Sequence, residues 1–118
     1  MVIVNQKEHR VPQIELKYTS DIEFDVTGML ETAIKTIKSA DDSVGNCRGR
    51  AYPLKDYVSS HIRLEIEMLD KPHRDDIFMQ KLSESVSRAV RTHVSTACAI
   101  SVICRFDPPQ WATTITVE

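Results

Sequence analysis

Long apolar runs, paired cysteines and basic stripes are all missing from this sequence. No apolar stretch approaches the roughly 20 residues that a membrane helix needs, so no membrane partner is expected. Met1 to Val4 are apolar, but Asn5, Gln6, Lys7 and Glu8 follow at once. That is too soon for a signal-peptide core, and a cytoplasmic location is the expectation. The three cysteines, Cys47, Cys98 and Cys104, are odd in number and show no CxxC spacing. They read as small buried hydrophobes rather than ligands or nucleophiles. The histidines, His9, His61, His73 and His93, include no pair at a ligand spacing such as i, i+4, so no metal site is expected. Positive charge does not gather either. The formal net charge is -2, with both signs scattered along the chain, which excludes nucleic acid as an expected partner.

What is present suits one small folded unit. The chain has 118 residues, 42% of them hydrophobic and 27% charged, ordinary values for a globular protein. That is near the commonest size of a single domain. A domain this small has a high surface-to-volume ratio, which favours association with copies of itself.

Residues 13–18 alternate polar and apolar, so Ile14, Leu16 and Tyr18 share one side of a half-buried strand. Thr19-Ser20-Asp21 breaks the pattern. Asp25 is placed to cap a helix whose apolar residues, Val26, Met29, Leu30, Ala33, Ile34 and Ile37, form one stripe. A mostly polar loop over 39–46 closes it. Residues 47–58 read as extended, interrupted by Pro53. The clearest strand covers 61–68, where Ile62, Leu64, Ile66 and Met68 alternate with Arg63, Glu65 and Glu67. Asp75 and Asp76 suit a helix N-terminus, and Phe78, Leu82, Val86, Ala89, Val90 and His93 lie on one face of that second helix. Residues 97–106 form a mostly apolar strand stopped by Pro108-Pro109. The β-branched tail over 112–117 suits a short edge strand.

The order is strand, helix, strand, strand, helix, strand, tail. The fold class is therefore α+β: tandem β-α-β units around a short hairpin, giving a four-stranded mixed sheet with two helices on one face. The other sheet face is expected to be partly apolar and uncovered, and burial against sister subunits is the natural remedy. Ferredoxin-like domains of many functions share this layout, so architecture alone names no activity.

Three segments carry a resemblance. Pro12-Gln-Ile-Glu-Leu-Lys-Tyr-Thr-Ser-Asp-Ile22 resembles the opening of the 5-carboxymethyl-2-hydroxymuconate isomerases, a branch of the tautomerase superfamily. Gly45-Asn-Cys-Arg-Gly-Arg-Ala-Tyr52 resembles that family's Arg-x-Arg stretch after the first crossover. Arg74, followed by Leu82-Ser83-Glu84, matches roughly the family's spacing in the second helix. The resemblance spans Pro12 to about Pro108. It implies a homotrimer and a cofactor-free isomerase of aromatic-acid breakdown, acting on small unsaturated 2-hydroxy or 2-oxo dicarboxylates. An amino-terminal proline is the proton shuttle in that family. By position match Pro12 is the acid/base, and Arg48 and Arg74 bind the substrate carboxylates. The chemistry is coherent, because one amine near neutral pKa both removes and returns a proton. Arginine's planar fork suits a carboxylate.

One departure matters. Residues 1–11 precede Pro12 as an extension of the 12–118 domain, and an acylated proline nitrogen has neither a basic lone pair nor an N–H. Two readings stay open. In the first, translation starts at Val11, whose codon GTG can initiate, with Lys7-Glu8 encoding a ribosome-binding AAGGAG; removal of the initiator then exposes Pro12. In the second, the extension is real and the domain is a non-catalytic oligomeric binding module. The chain with all 118 residues is expected to show little or no activity. Without the family, Pro12 is a strand starter. Arg48 and Arg50 share a strand face and are solvated or in surface ion pairs, Arg74 faces solvent or pairs with Asp75 or Asp76, and Tyr52 and Trp111 are core or interface residues. Glu65 and Glu67 belong to a solvated or cross-strand charged face.

Overall fold

The computed structural model describes residues 11–108 together with 113, 115 and 117. Strand β1 (Gln13–Thr19) forms where the alternation begins, and Ile14 and Leu16 are fully buried. Helix α1 (Val26–Ala40) starts at Asp25, whose carboxylate accepts from the Gly28 amide at 3.0 Å. Its stripe of Met29, Ala33 and Ile37 is fully buried. Strand β2 (Arg48–Leu54) returns parallel to β1. Strand β3 (His61–Met68) covers the expected residues and runs antiparallel to β1. Helix α2 (Asp76–Arg91) is capped by Asp75, which accepts from the Phe78 amide at 2.8 Å, and buries Leu82, Val86 and Val90 at intervals of four. Strand β4 (Ala99–Phe106) lies parallel to β3.

The strands stand in the order β2-β1-β3-β4. The expected class holds: one mixed sheet of four strands, with two β-α-β units side by side in opposite sense. The expected hairpin does not. β2 and β3 are separated by β1, so the loop over 55–60 crosses the end of β1 instead of making a tight turn. β1 takes the inner place because its Ile14 and Leu16 are fully buried, whereas β2 holds the exposed Pro53, which an edge strand tolerates. Two interstrand spacings amount to about 10 Å, within reach of six residues. Ser59 turns this loop with φ 63°. Asp21 anchors it by accepting the Ser60 hydroxyl.

Both helices cover the face carrying Ile14, Leu16, Ile62, Leu64, Ile66 and Met68. The opposite face, expected to be partly apolar, carries Tyr52 and Ile103 but is mostly charged. Its rows run Arg48, Gln13, Glu67, Arg105; then Arg50, Glu15, Glu65, Ile103; then Tyr52, Lys17, Arg63, Ser101. The strict alternation on β1 and β3 places every large aliphatic side chain beneath the helices and leaves ionic groups outside. The expectations for Trp111 and for most of the 112–117 tail concern residues outside those described. No helix among the described residues is long and apolar enough to cross a membrane.

Candidate functional site

The sheet brings its chemistry-bearing residues together at the end where β1 and β2 begin and β3 and β4 finish. Pro12 sits at the head of β1 and is buried; its carbonyl accepts from the Arg48 amide at 3.0 Å. Pro12 and Arg48 are therefore neighbours through the sheet ladder, and the Arg48 residue is exposed. Val11 is joined to Pro12, and its carbonyl accepts from Gln13 Nε2 at 3.3 Å. The Pro12 nitrogen is thus a tertiary amide in this chain and cannot take a proton.

Arg74 comes to the same end of the sheet by another route. It lies in the loop after β3, between Met68 and α2, and is 4% exposed. Its Nε donates to Asp41 Oδ2 at 2.9 Å, Nη1 to the Leu69 carbonyl at 2.7 Å and Nη2 to Ser43 Oγ at 3.5 Å. The side chain is turned inward and its guanidinium is occupied by protein groups. The carboxylate it meets belongs to Asp41, not to Asp75 or Asp76: those two open α2, and Asp75 spends its carboxylate on the helix cap.

Asp41 organises this end of the molecule. It is the C-terminal cap of α1, 4% exposed, and its amide donates to the Ile37 carbonyl at 3.0 Å. Its carboxylate accepts from the Ser43 amide at 2.9 Å, the Ser43 hydroxyl at 2.6 Å, His73 Nε2 at 2.9 Å and Arg74 Nε at 2.9 Å. Burial on its own would raise the Asp41 pKa. The bonds from Ser43, His73 and Arg74 outweigh it and hold the carboxyl well below the usual carboxylate range. Sequence reasoning passed over Asp41. The available signal was electrostatic: an acid at a helix C-terminus opposes the helix dipole, so a buried one there needs cations.

On the open face, Glu65 is 6% exposed although it points away from the helices. Arg63 Nε (2.8 Å), Arg105 Nη2 (2.9 Å) and Lys17 Nζ (3.3 Å) cover it. The Arg63 bond foremost, with those of Arg105 and Lys17 and against burial, lowers its pKa to about 2. Arg105 Nε also meets Glu67 at 2.9 Å. Arg50 reaches Glu15 at 3.5 Å and donates to Gln13 as well, while the Tyr52 hydroxyl donates to Glu15 at 2.9 Å. Gln13, Glu15, Arg50, Glu65, Glu67 and Arg105 line a shallow depression of about 190 Å³. The other histidines among the described residues serve structure: His61 Nδ1 donates to the Ser59 carbonyl at 2.8 Å, and His93 shares a 2.7 Å hydrogen bond with Thr32, tying α1 to the end of α2. Among the described residues, no group of three His, Cys, Asp or Glu is placed to hold a metal ion.

Comparison with solved structures finds this fold elsewhere. The chain is similar to a 5-carboxymethyl-2-hydroxymuconate isomerase from Deinococcus radiodurans R1, with a TM-score of 0.74, 14% identity and 86% of each chain covered. It is also similar to a 5-carboxymethyl-2-hydroxymuconate delta-isomerase, with a TM-score of 0.62, 14% identity and 82% of each chain covered. A third similar structure is described as a W0 fused 4-OT wild type symmetric trimer; its TM-score is 0.66 at 12% identity, covering 85% of this chain and 91% of that one. At such identities the likeness is one of fold. No protein family and no curated protein matches the sequence.

Proposed function

We propose that this chain is an isomerase of the tautomerase type, cofactor-free and cytoplasmic, acting on small unsaturated 2-hydroxy or 2-oxo dicarboxylates of aromatic catabolism once Pro12 is amino-terminal. The observation that carries the reading is the 3.0 Å bond between the Arg48 amide and the Pro12 carbonyl, in a fold shared with proteins described as such isomerases. A strand head bearing a secondary amine would then lie beside an arginine. The amine removes a proton from one end of the conjugated system and returns it at the other, so no co-reactant is consumed. Arg48 grips one carboxylate. Arg74 reaches the second only by exchanging Asp41 for it; as folded, it braces the wall of the site. Association into a closed ring, as in the similar structure described as a symmetric trimer, belongs to the same proposal.

A second reading is favoured by a specific observation: the nitrogen of Pro12 is acylated by Val11 and the residue is buried. With residues 1–11 retained, the domain is a non-catalytic oligomeric module. The test compares the full chain with one beginning at Pro12, following the ultraviolet absorbance of an unsaturated 2-hydroxy dicarboxylate. General acid–base catalysis contributes about 10²–10⁴-fold, so the Pro12-first chain is expected to exceed the full chain by at least about 100-fold. Equal, background rates from both chains leave the binding module as the answer.

A further inference from the structure

The side-chain amide of Gln13 stands beside the nitrogen of Pro12 in a fixed orientation. Gln13 opens β1 and is half-buried on the charged face, paired in register with Arg48. Its Oε1 accepts from Arg50 Nη2. Arg50 is set in turn by Glu15 at 3.5 Å, which also accepts the Tyr52 hydroxyl at 2.9 Å. Arginine carries donors only, so this contact fixes which end of the amide is oxygen. The NH2 end faces the other way, and Nε2 donates to the Val11 carbonyl at 3.3 Å.

That carbonyl belongs to the acyl group on Pro12. By standard peptide dimensions its oxygen lies about 2.2 Å from the Pro12 nitrogen. A chain that begins at Pro12 lacks this carbonyl but keeps what holds the amide. Arg50, Glu15 and Tyr52 all follow Pro12, as do the described strands and helices and the hydrophobic core. The amide then presents an N–H to the oxygen that takes the carbonyl's place beside the secondary amine. Gln13 and Arg50 also line the shallow depression of the open face, so a ligand reaches them from solvent.

We propose that, in the chain beginning at Pro12, Gln13 Nε2 donates to the C2 oxygen of a 2-hydroxy or 2-oxo dicarboxylate seated where the full chain has its Val11 carbonyl oxygen. The inference rests on the isomerase reading for its substrate. As the Pro12 nitrogen takes a proton from the conjugated system, negative charge develops on that oxygen and the amide stabilises it. The proton returns further along the system, and Gln13 gives up none. A neutral donor suits the position, since one more cation there would lower the basicity of the amine.

The test compares the chain beginning at Pro12 with the same chain bearing Gln13→Ala or Gln13→Glu. Gln13→Ala is expected to lower kcat by at least about tenfold with KM little changed, the pattern of a bond that strengthens in the transition state. Gln13→Glu keeps the contact with Arg50 but offers no donor, so kcat should fall at least as far. Its negative charge raises the amine pKa, which moves the acid limb of the pH–rate profile to higher pH. Native kcat in Gln13→Ala overturns the proposal. Binding is read apart from turnover, through the NMR signals of the Gln13 side-chain amide as 2-oxoadipate, a saturated 2-oxo dicarboxylate, is added. They are expected to shift in the chain beginning at Pro12 and to stay in place in the full chain, where Val11 holds the amide. An inactive chain whose Gln13 amide still shifts removes the isomerase reading alone. An amide that stays in place at every ligand concentration, or shifts equally in both chains, overturns the role given to Gln13.

Discussion

Replacing Arg74 with methionine tests whether the guanidinium braces the fold or waits for a ligand. Both side chains of the Asp41–Arg74 pair are 2% exposed, so water cannot replace the lost partner. Breaking a buried pair from one side costs about 3–5 kcal/mol. Arg74→Met should fall at the lower end, about 3 kcal/mol, because Asp41 keeps its bonds from Ser43 and His73. At roughly 4 °C per kcal/mol for a chain of this size, the melting temperature drops by about 10–15 °C. Urea unfolding at pH 7 and one fixed protein concentration reads the free energy directly. The pH dependence supplies an independent check. The Asp41 pKa is lowered by folding, so the pair's contribution is fully present above the unfolded aspartate value of about 3.9 and is lost as pH falls toward the folded one. The gap between native and Arg74→Met should stay level from about pH 7 to 5 and narrow below about pH 4. A loss under about 1 kcal/mol with the m-value unchanged, or a gap that ignores pH, refutes the bracing role. Weakened dicarboxylate binding at unchanged stability would place Arg74 on substrate instead.

Two further substitutions probe the open face and the first helix. Glu65→Gln removes the charge that Arg63, Arg105 and Lys17 share and should cost about 1–2 kcal/mol at pH 7, since hydrogen bonds to charged groups exceed neutral ones. Its folded pKa of about 2 lies below the unfolded value, so that difference shrinks as pH falls from about 4.3 toward 2 in parallel urea titrations. Gly28→Ala gains about 1 kcal/mol of helix propensity, yet its new Cβ collides with the Asp25 carboxylate that caps α1. The loss of the cap, about 1 kcal/mol, cancels the gain, so thermal melts should show almost no change. In an Asp25→Ala background the same substitution should stabilise by about 1 kcal/mol, a non-additivity that only a shared cap produces.

The elements were legible because each carries its own period. Alternation over 61–68 and the stripe from Val26 to Ile37 admit one packing each, and β3 and α1 fall where those patterns do. Sheet order was not legible, since nothing local tells the chain that follows β2 to cross β1 instead of pairing with β2. The burial of β1 decides that, and burial is a property of the assembled sheet. The charge of the open face was half visible. Glu65 and Glu67 read as outward; Arg63, two residues before Glu65, was in view, but Lys17 and Arg105 come from β1 and β4, brought beside them only by register. The site was read by position match, and there the structure distinguishes between its members. Pro12 and Arg48 meet through a main-chain bond. Arg74 is held by an aspartate 33 residues earlier, a partner that no spacing rule identifies.

The charged face also bears on how copies of this chain meet. Five cationic side chains, Lys17, Arg48, Arg50, Arg63 and Arg105, share it with the carboxylates Glu15, Glu65 and Glu67. Pressing it against an apolar partner would strip water from groups such as Lys17, Arg63 and Arg105, whose side chains are 37–49% exposed. Desolvating each ion costs several kcal/mol that existing pairs do not return. An edge contact leaves those groups in water and gains main-chain hydrogen bonds that the monomer lacks. Of the large apolar residues exposed among those described, Tyr52 stands in the charged rows, while Val58 in the loop after β2 and Ile77 on α2 lie away from them. Contact that leaves the charged face hydrated is therefore the arrangement that the distribution of charge favours.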